Sequence, residues 1–257
     1  MVEINSVLIT GANRGIGLEF VRQFLTNTSV RTHIIIATYR SQESSSALLE
    51  LAKSTTKVYT LKFDVNQFDT YDKFVIDVQS IVGDKGLTLL INNAGICVPF
   101  GDTLDDVTPE KFTSVFTTNA TAPVILTKVL RPLLKQSARI HSDKNNGLSI
   151  ARAAVINISS IAGSCAADIG PLFLYAYRES KAALNMSTIS MAIELEKDGI
   201  LVESLHPGVV DTDMTATHTL PKIDATTSVS KIIEVLLTLN GKNKEGFPSY
   251  DGKILPF

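Results

Sequence analysis

Six short apolar runs, rich in β-branched residues, recur along the chain: SVLIT at 6–10, HIIIAT at 33–38, KVYTLKF at 57–63, LTLLIN at 87–92, AAVINIS at 153–159 and ILVESLH at 200–206. A strand with one wet face alternates apolar and polar residues. Near-continuous apolar runs belong to strands covered on both faces, and such strands occur in parallel sheets sandwiched between helices. The stretches between the runs are long enough for crossover helices. The pattern predicts a doubly wound α/β fold, with about seven parallel strands and helices on both faces. A length of 257 residues suits one such domain, spanning 1–257, better than two.

Composition excludes several functions. Hydrophobic residues make up 44% and charged residues 19%, with a formal net charge of −2, so the chain offers no basic field to a nucleic acid or an anionic membrane. The two cysteines, Cys97 and Cys165, stand far apart without nearby histidine pairs, which argues against both a disulfide framework and a metal site. No apolar run approaches the ~18 residues of a membrane span. The first residues run straight into a strand without a signal-peptide pattern, and ILPF at 254–257 matches no targeting tail, so the expected location is cytoplasmic. Two segments interrupt the rhythm. A polar stretch at 137–152 reads as a surface loop, and a short segment at about 213–228, after the sixth strand, lies where a substrate loop belongs.

The chemistry-bearing motifs fall at strand ends. TGANRGIG, Thr10 to Gly17, follows the first strand and opens a helix. Its glycines let the backbone turn sharply and approach a pyrophosphate, while the helix N-terminus offers free N–H groups, as in a Rossmann fold. Where NAD-binding folds hold an acid after the second strand, this chain has Tyr39 and Arg40. With Arg14 that places two guanidinium groups near a ribose 2′-phosphate, favouring NADP(H) over NAD(H). Asp64, in FDV, could accept from an adenine amino group or cap the following helix. INNAGI at 91–96 puts two amides and a glycine at the end of the fourth strand.

Two tyrosines, Tyr175 and Tyr177, precede Lys181 in a segment that predicts a long helix over 175–199 ended by Gly199. At ~100° per residue, Tyr177 and Lys181 differ by ~40° and share a face, whereas Tyr175 is ~120° away. Tyr177 is therefore the partner of Lys181, and Tyr175 a wall or packing residue. An ammonium beside a phenol favours the phenolate and is expected to lower the tyrosine pKa toward neutrality. INISSIAGS at 156–164 brings hydroxyls to the same sheet edge; Ser159 and Ser160 point in opposite directions, so only one can face the site. HPGVVDTDM at 206–214 adds a Pro-Gly turn and Thr212.

Thr10 to Gly17, Asn92-Asn93-Ala94-Gly95, Asn119 in TTNATAP, Ser160, Tyr177-x-x-x-Lys181 and Pro207-Gly208 with Thr212 together resemble the short-chain dehydrogenase/reductase family, in order from residue 6 to the final GFPSYDGKILPF. The tail and the excursion before the fifth strand are most similar to carbonyl reductases of the sniffer and C-factor type. The resemblance implies a catalytic tetrad of Asn119, Ser160, Tyr177 and Lys181 acting with NADPH on a small carbonyl substrate. Tyr177 would protonate the carbonyl oxygen and Ser160 would hydrogen-bond it; Lys181 would tune Tyr177 and hold the nicotinamide ribose, and Asn119 would fix a water leading to Lys181. Cofactor contacts are implied at Gly11, Asn13, Arg14, Gly15, Ile16, Gly17, Arg40, Asp64, Val65, Asn92, Ala94, Gly95, Tyr177, Lys181, Pro207, Gly208, Val210 and Thr212. Ser160 lies farther from the tyrosine than in compact members. Ser164 has the shorter spacing, and Ser160 is favoured because it completes NISS. The resemblance also implies a homodimer through helices at roughly 119–136 and 175–198. A regulatory or signalling protein that binds NADP(H) with little turnover is the alternative.

Overall fold

The computed structural model describes residues 1–97, 103–142, 147–170, 173–216, 220–242 and 245–257. Parts of the two predicted loops, 143–146 and 217–219, lie outside the described residues. Six strands, β1 (Val2–Ile9), β2 (Val30–Tyr39), β3 (Val58–Lys62), β4 (Leu89–Asn92), β5 (Ala154–Ile158) and β6 (Leu201–Leu205), form one parallel sheet in the order β3-β2-β1-β4-β5-β6. Among the described residues the α-helices are α1 (Gly15–Thr26), α2 (Ser46–Lys53), α3 (Tyr71–Val82), α4 (Pro109–Phe116), α5 (Ala122–Ile140), α6 (Tyr175–Leu195) and α7 (Ala225–Leu236).

Residue-by-residue alternation explains why the runs are apolar throughout. Ile9, Ile35, Ile91, Ile156 and Leu205 pack on one face with Phe20 and Phe24 of α1 and Ile232 and Leu236 of α7. Leu8, Ile36, Leu90, Val155 and Val202 pack on the other with Val78 of α3, Leu130 and Leu134 of α5, and Leu195 of α6. Because successive side chains point to opposite faces, every strand position must be apolar for both layers to close.

The sheet has six strands rather than about seven. The last segments, β7 (Gly246–Pro248) and β8 (Ile254–Pro256), pair with each other antiparallel, and just beyond β6 His206 forms an isolated bridge with Ser249. β7 spans three residues and ends on Pro248, which has no N–H to extend a ladder. The loop expected from residue 137 begins later, because α5 continues to Ile140 with its interior Pro132 accommodated. The long helix matches its prediction closely: α6 ends at Leu195, a 3₁₀ turn covers Glu196–Asp198, and Gly199 takes the left-handed conformation of a helix stop (φ 74°). Among the described residues no helix is long and apolar enough to cross a membrane.

Glu203 is an acid buried within the sheet. Glu203, only 5% exposed, lies between Leu201 and Leu205 on the same face of β6, opposite Ile156 of β5. Burial pushes its carboxyl up to about 8, with a partial offset from the Ser204 backbone. A folded-state pKa raised above the unfolded one gives stability that is present at low pH and lost as pH rises through the raised value, here between about 4.5 and about 8. Glu203→Gln is expected to match wild type near pH 5 and to exceed it by about 2–4 kcal/mol near pH 8.5 in urea denaturation. A constant difference between the two proteins across that range would contradict the buried neutral acid.

Candidate active site

The strand order reverses between β1 and β4, and a crevice of about 470 Å³ opens beyond their carboxyl ends. The loop after β1 and the start of α1 form one wall. Gly11, Asn13, Arg14, Gly15, Ile16 and Gly17 all line it. A Cβ at Gly17 would stand 2.6 Å from Asn93 Nδ2 and 2.9 Å from Ala12 Cα, so only glycine lets the helix start this close to the loop. The first turn of α1 has neither a side-chain cap nor an acidic residue, which leaves its N–H groups and positive dipole end for an anion. That arrangement fits the pyrophosphate of a dinucleotide. Asn13 faces the turn after β2, its Nδ2 donating to Ser44 O (3.1 Å) and Ser44 Oγ (3.2 Å). Arg40, exposed at the end of β2, lines the same crevice. Arg14 points elsewhere: its Nη1 lies 2.5 Å from Asp213 Oδ2, across the crevice mouth, so the structure does not place both guanidinium groups together.

The floor is set by β4. The Thr10 hydroxyl accepts from the N–H groups of Asn93 and Ala94, both at 3.0 Å, and Asn93 Nδ2 donates to Thr10 O at 2.8 Å and to Gly11 O at 3.1 Å. Asn93, Ala94 and Gly95 therefore line the crevice. Asn92 does not. Its side chain turns into the sheet and donates to Asn157 Oδ1 (2.8 Å), because it is the last regular residue of β4 and alternation sends it to the opposite face from its neighbour. Just beyond β3, Asp64 and Val65 line the wall. Asp64 accepts from Asn66 N (3.0 Å), closing a turn rather than capping α3, and Val65 O accepts from the Tyr71 hydroxyl (2.7 Å).

Four residues converge at the far end. Asn119 sits in a π-helical turn, Thr117–Thr121, between α4 and α5, a distortion common at functional sites. Its Oδ1 accepts from Ile96 N and its Nδ2 donates to Ile96 O, both at 2.9 Å, and to Ser180 Oγ at 3.0 Å. Both amide hydrogens are committed, so the side chain pins the segment after β4 instead of presenting a donor to water. Ser160 lies two residues beyond the end of β5 and caps the 3₁₀ turn Ile161–Gly163; its hydroxyl accepts from Ala162 N (3.1 Å) and stands near the Tyr177 phenol, where it favours the phenolate. Gly163 allows that turn to sit flush on α6, since a Cβ there would lie 2.6 Å from the Lys181 carbonyl carbon. Ser159 is turned inward onto Asn185 Oδ1 (2.6 Å), and Ser164 accepts from the N–H groups of Ala166 and Ala167, so neither competes with Ser160 for Tyr177.

Lys181 lies on the Tyr177 face of α6, its Nζ 5.7 Å from the ring centroid, and donates to Ile158 O at 2.7 Å. Burial lowers its pKa to about 8, against the raising effect of Cys97. The expected depression of the Tyr177 pKa is not found. Burial and then the charge of Cys97 push the phenol above its ordinary value, and only the Ser160 hydrogen bond acts downward. Desolvation of the buried phenol is the larger effect, and the Lys181 ammonium, 5.7 Å from the ring centroid, donates to the Ile158 carbonyl. Tyr175 points away from this cluster into a separate cavity of about 360 Å³ behind α6, with Phe173 and Arg178.

Beyond β6, Pro207 and Thr212 line the crevice, but Gly208 and Val210 do not. Gly208 (φ 85°) turns the chain against Tyr250 and Ile223, and Val210 is buried in a bridge with Ile223. Their work is to shape the segment that carries Thr212. The roles of Thr10, Asn93, Ser44 and Asp213 carry no local sequence signal, because the bonds of Thr10 and Asn93 join separate strands and the Asp213 contact spans 199 positions.

The model of the short chain dehydrogenase family matches residues 5–222. Carbonyl reductase Sniffer of D. melanogaster is 37% identical and superposes with a TM-score of 0.91, covering 99% of this chain and 100% of that one. A carbonyl reductase from chicken fatty liver, solved with NADPH bound, is 35% identical with a TM-score of 0.91 and complete coverage of both chains. The C-signal protein of Myxococcus xanthus is 36% identical over 170 residues, 66% of this chain and 92% of that protein. With its sheet order, its glycine turn and its Ser160–Tyr177–Lys181 cluster, this chain belongs to the short-chain dehydrogenase family of oxidoreductases.

Proposed function

We propose that the protein is an NADPH-dependent reductase of small aldehydes or ketones, with Tyr177 as the general acid. The observation that carries the reading is the state of Tyr177: it lines the crevice, burial holds its phenol in the protonated form, and the Ser160 hydroxyl stands near it. A phenol that keeps its proton at neutral pH is poised to give it up when an alkoxide develops beside it, which suits reduction. Ser160 would share the developing oxyanion. Lys181, with a pKa near 8, would return a proton to the phenol and hold the ribose at the Ile158 end of the crevice. Asn119 would act through Ile96 by fixing the backbone that forms the floor. NADPH, when bound, supplies the hydride. The first turn of α1 would hold its pyrophosphate, Asp64 and Val65 its adenine, and Arg40 its 2′-phosphate. No acid stands at the end of β2 to favour an unphosphorylated ribose.

The similarity to the C-signal protein favours a second reading, in which the chain binds NADP(H) as a regulatory or signalling protein. The two readings part on turnover. Wild type is expected to oxidise NADPH in the presence of a panel of small aldehydes and ketones, and Tyr177→Phe to lose at least ~100-fold in kcat with its NADPH affinity retained. Undiminished turnover in Tyr177→Phe would exclude the tyrosine mechanism, and a wild type that binds NADPH without turnover would favour the signalling reading. Arg40→Asp is expected to weaken NADPH by about tenfold or more relative to NADH, measured by fluorescence titration.

Assembly belongs to the same proposal. Ala182, Met186, Ile189 and Ile193 share one face of α6, with Met186 64% and Ile193 73% exposed. A second copy covering this face, with α5 beside it, would make a homodimer. Light scattering is expected to give twice the chain mass for wild type and the single-chain mass for Ile193→Glu.

A further inference from the structure

Arg14 and Asp213 come from opposite sides of the crevice mouth. Arg14 is the extended residue (φ −159°, ψ 175°) immediately before α1, and Asp213 opens the 3₁₀ turn Asp213–Thr215 after β6. Their side chains meet at 2.5 Å, Nη1 to Oδ2, and both line the crevice. The backbone around Asp213 is held independently of this contact. Thr212 and Thr215 close a capping box over the turn, and Val210 and Asp211 are tied to Ile223 through a bridge and the Asp211 N to Ile223 O bond (2.8 Å). The Thr212 methyl packs against Gly15, so the carboxylate is presented to Arg14 from a fixed support next to the N-terminus of α1.

Arg14 is thus the cation nearest the uncapped helix start, and it is already paired. A dinucleotide entering the crevice brings phosphate oxygens to the same place, and a guanidinium fork can serve either anion. We propose that Asp213 competes with the cofactor's phosphates for Arg14: it holds the guanidinium across the mouth in the cofactor-free protein and surrenders it when the dinucleotide binds. This inference rests on the dinucleotide reading of the crevice. Asp213 is then a positioning residue whose carboxylate weakens cofactor binding by slowing association.

The size of the effect follows from exposure. The two side chains are 65% and 73% exposed, so the pair is well solvated and its removal should change binding by about two- to fivefold. The test is fluorescence titration and stopped-flow binding of NADPH and of NADH to wild type, Asp213→Asn, Arg14→Gln and the double variant. Asp213→Asn is expected to bind NADPH about two- to fivefold more tightly, mostly through faster association, and to gain nothing in the Arg14→Gln background. A purely structural role for Asp213, or direct repulsion between its carboxylate and phosphate, would persist in that background and would overturn the handover. Equal tightening for both cofactors would place Arg14 on the pyrophosphate, and tightening for NADPH alone on the 2′-phosphate; either supports the competition. Unchanged affinity in Asp213→Asn would overturn the competition while leaving the cofactor reading intact. A wild type that binds neither dinucleotide would overturn both.

Discussion

The Thr10 hydroxyl joins the ends of β1 and β4 at the point where the sheet changes direction. It accepts from two consecutive backbone N–H groups, Asn93 and Ala94, and Asn93 answers with its amide on the Thr10 and Gly11 carbonyls. Strands at a reversal diverge, and the backbone groups just past their ends have lost the sheet ladder. This cross-link satisfies them and leaves a rigid floor from which the crevice walls rise. Gly17 packs against Asn93, Asn119 pins Ile96 two residues beyond Ala94, and Lys181 reaches Ile158 on the adjacent strand.

Burial then decides the chemistry of the cluster above that floor. The same low-dielectric surroundings favour the neutral form of both Tyr177 and Lys181, raising one pKa and lowering the other. At neutral pH the phenol keeps its proton, and the lysine, still mostly an ammonium, is close enough to its pKa to exchange one. A contact between ammonium and phenolate would have produced the opposite pair of charges. Burial is the larger cause of both shifts, and the lysine donates to Ile158 O.

Several features were legible because they are local and periodic. The β-branched runs exposed six strands buried on two faces, and the α6 helix from Tyr175 to its Gly199 stop could be read from spacing alone. The Tyr177–Lys181 pairing followed from 3.6 residues per turn. Strand ends were harder. Asn92 and Asn93 are adjacent amides, and one step of alternation sends the first into the sheet and the second into the crevice. Where β4 stops therefore decides which amide reaches the site. Ser160 and Ser164 posed the same problem, resolved by a 3₁₀ turn that puts one hydroxyl near Tyr177 and folds the other onto its own loop.

The sequence by itself determined the layered α/β architecture, the glycine-rich helix start, and the helix face on which a tyrosine and a lysine stand together, because each depends on the geometry of one segment. Only the tertiary structure decided that Lys181 donates to the Ile158 carbonyl, that Asn119 pins backbone, and that Arg14 faces Asp213 across the crevice. Those outcomes depend on which polar partner lies nearest once distant strand ends are brought together, and in a buried site the nearest partner takes the hydrogen bond because leaving it unmade costs more than any local preference.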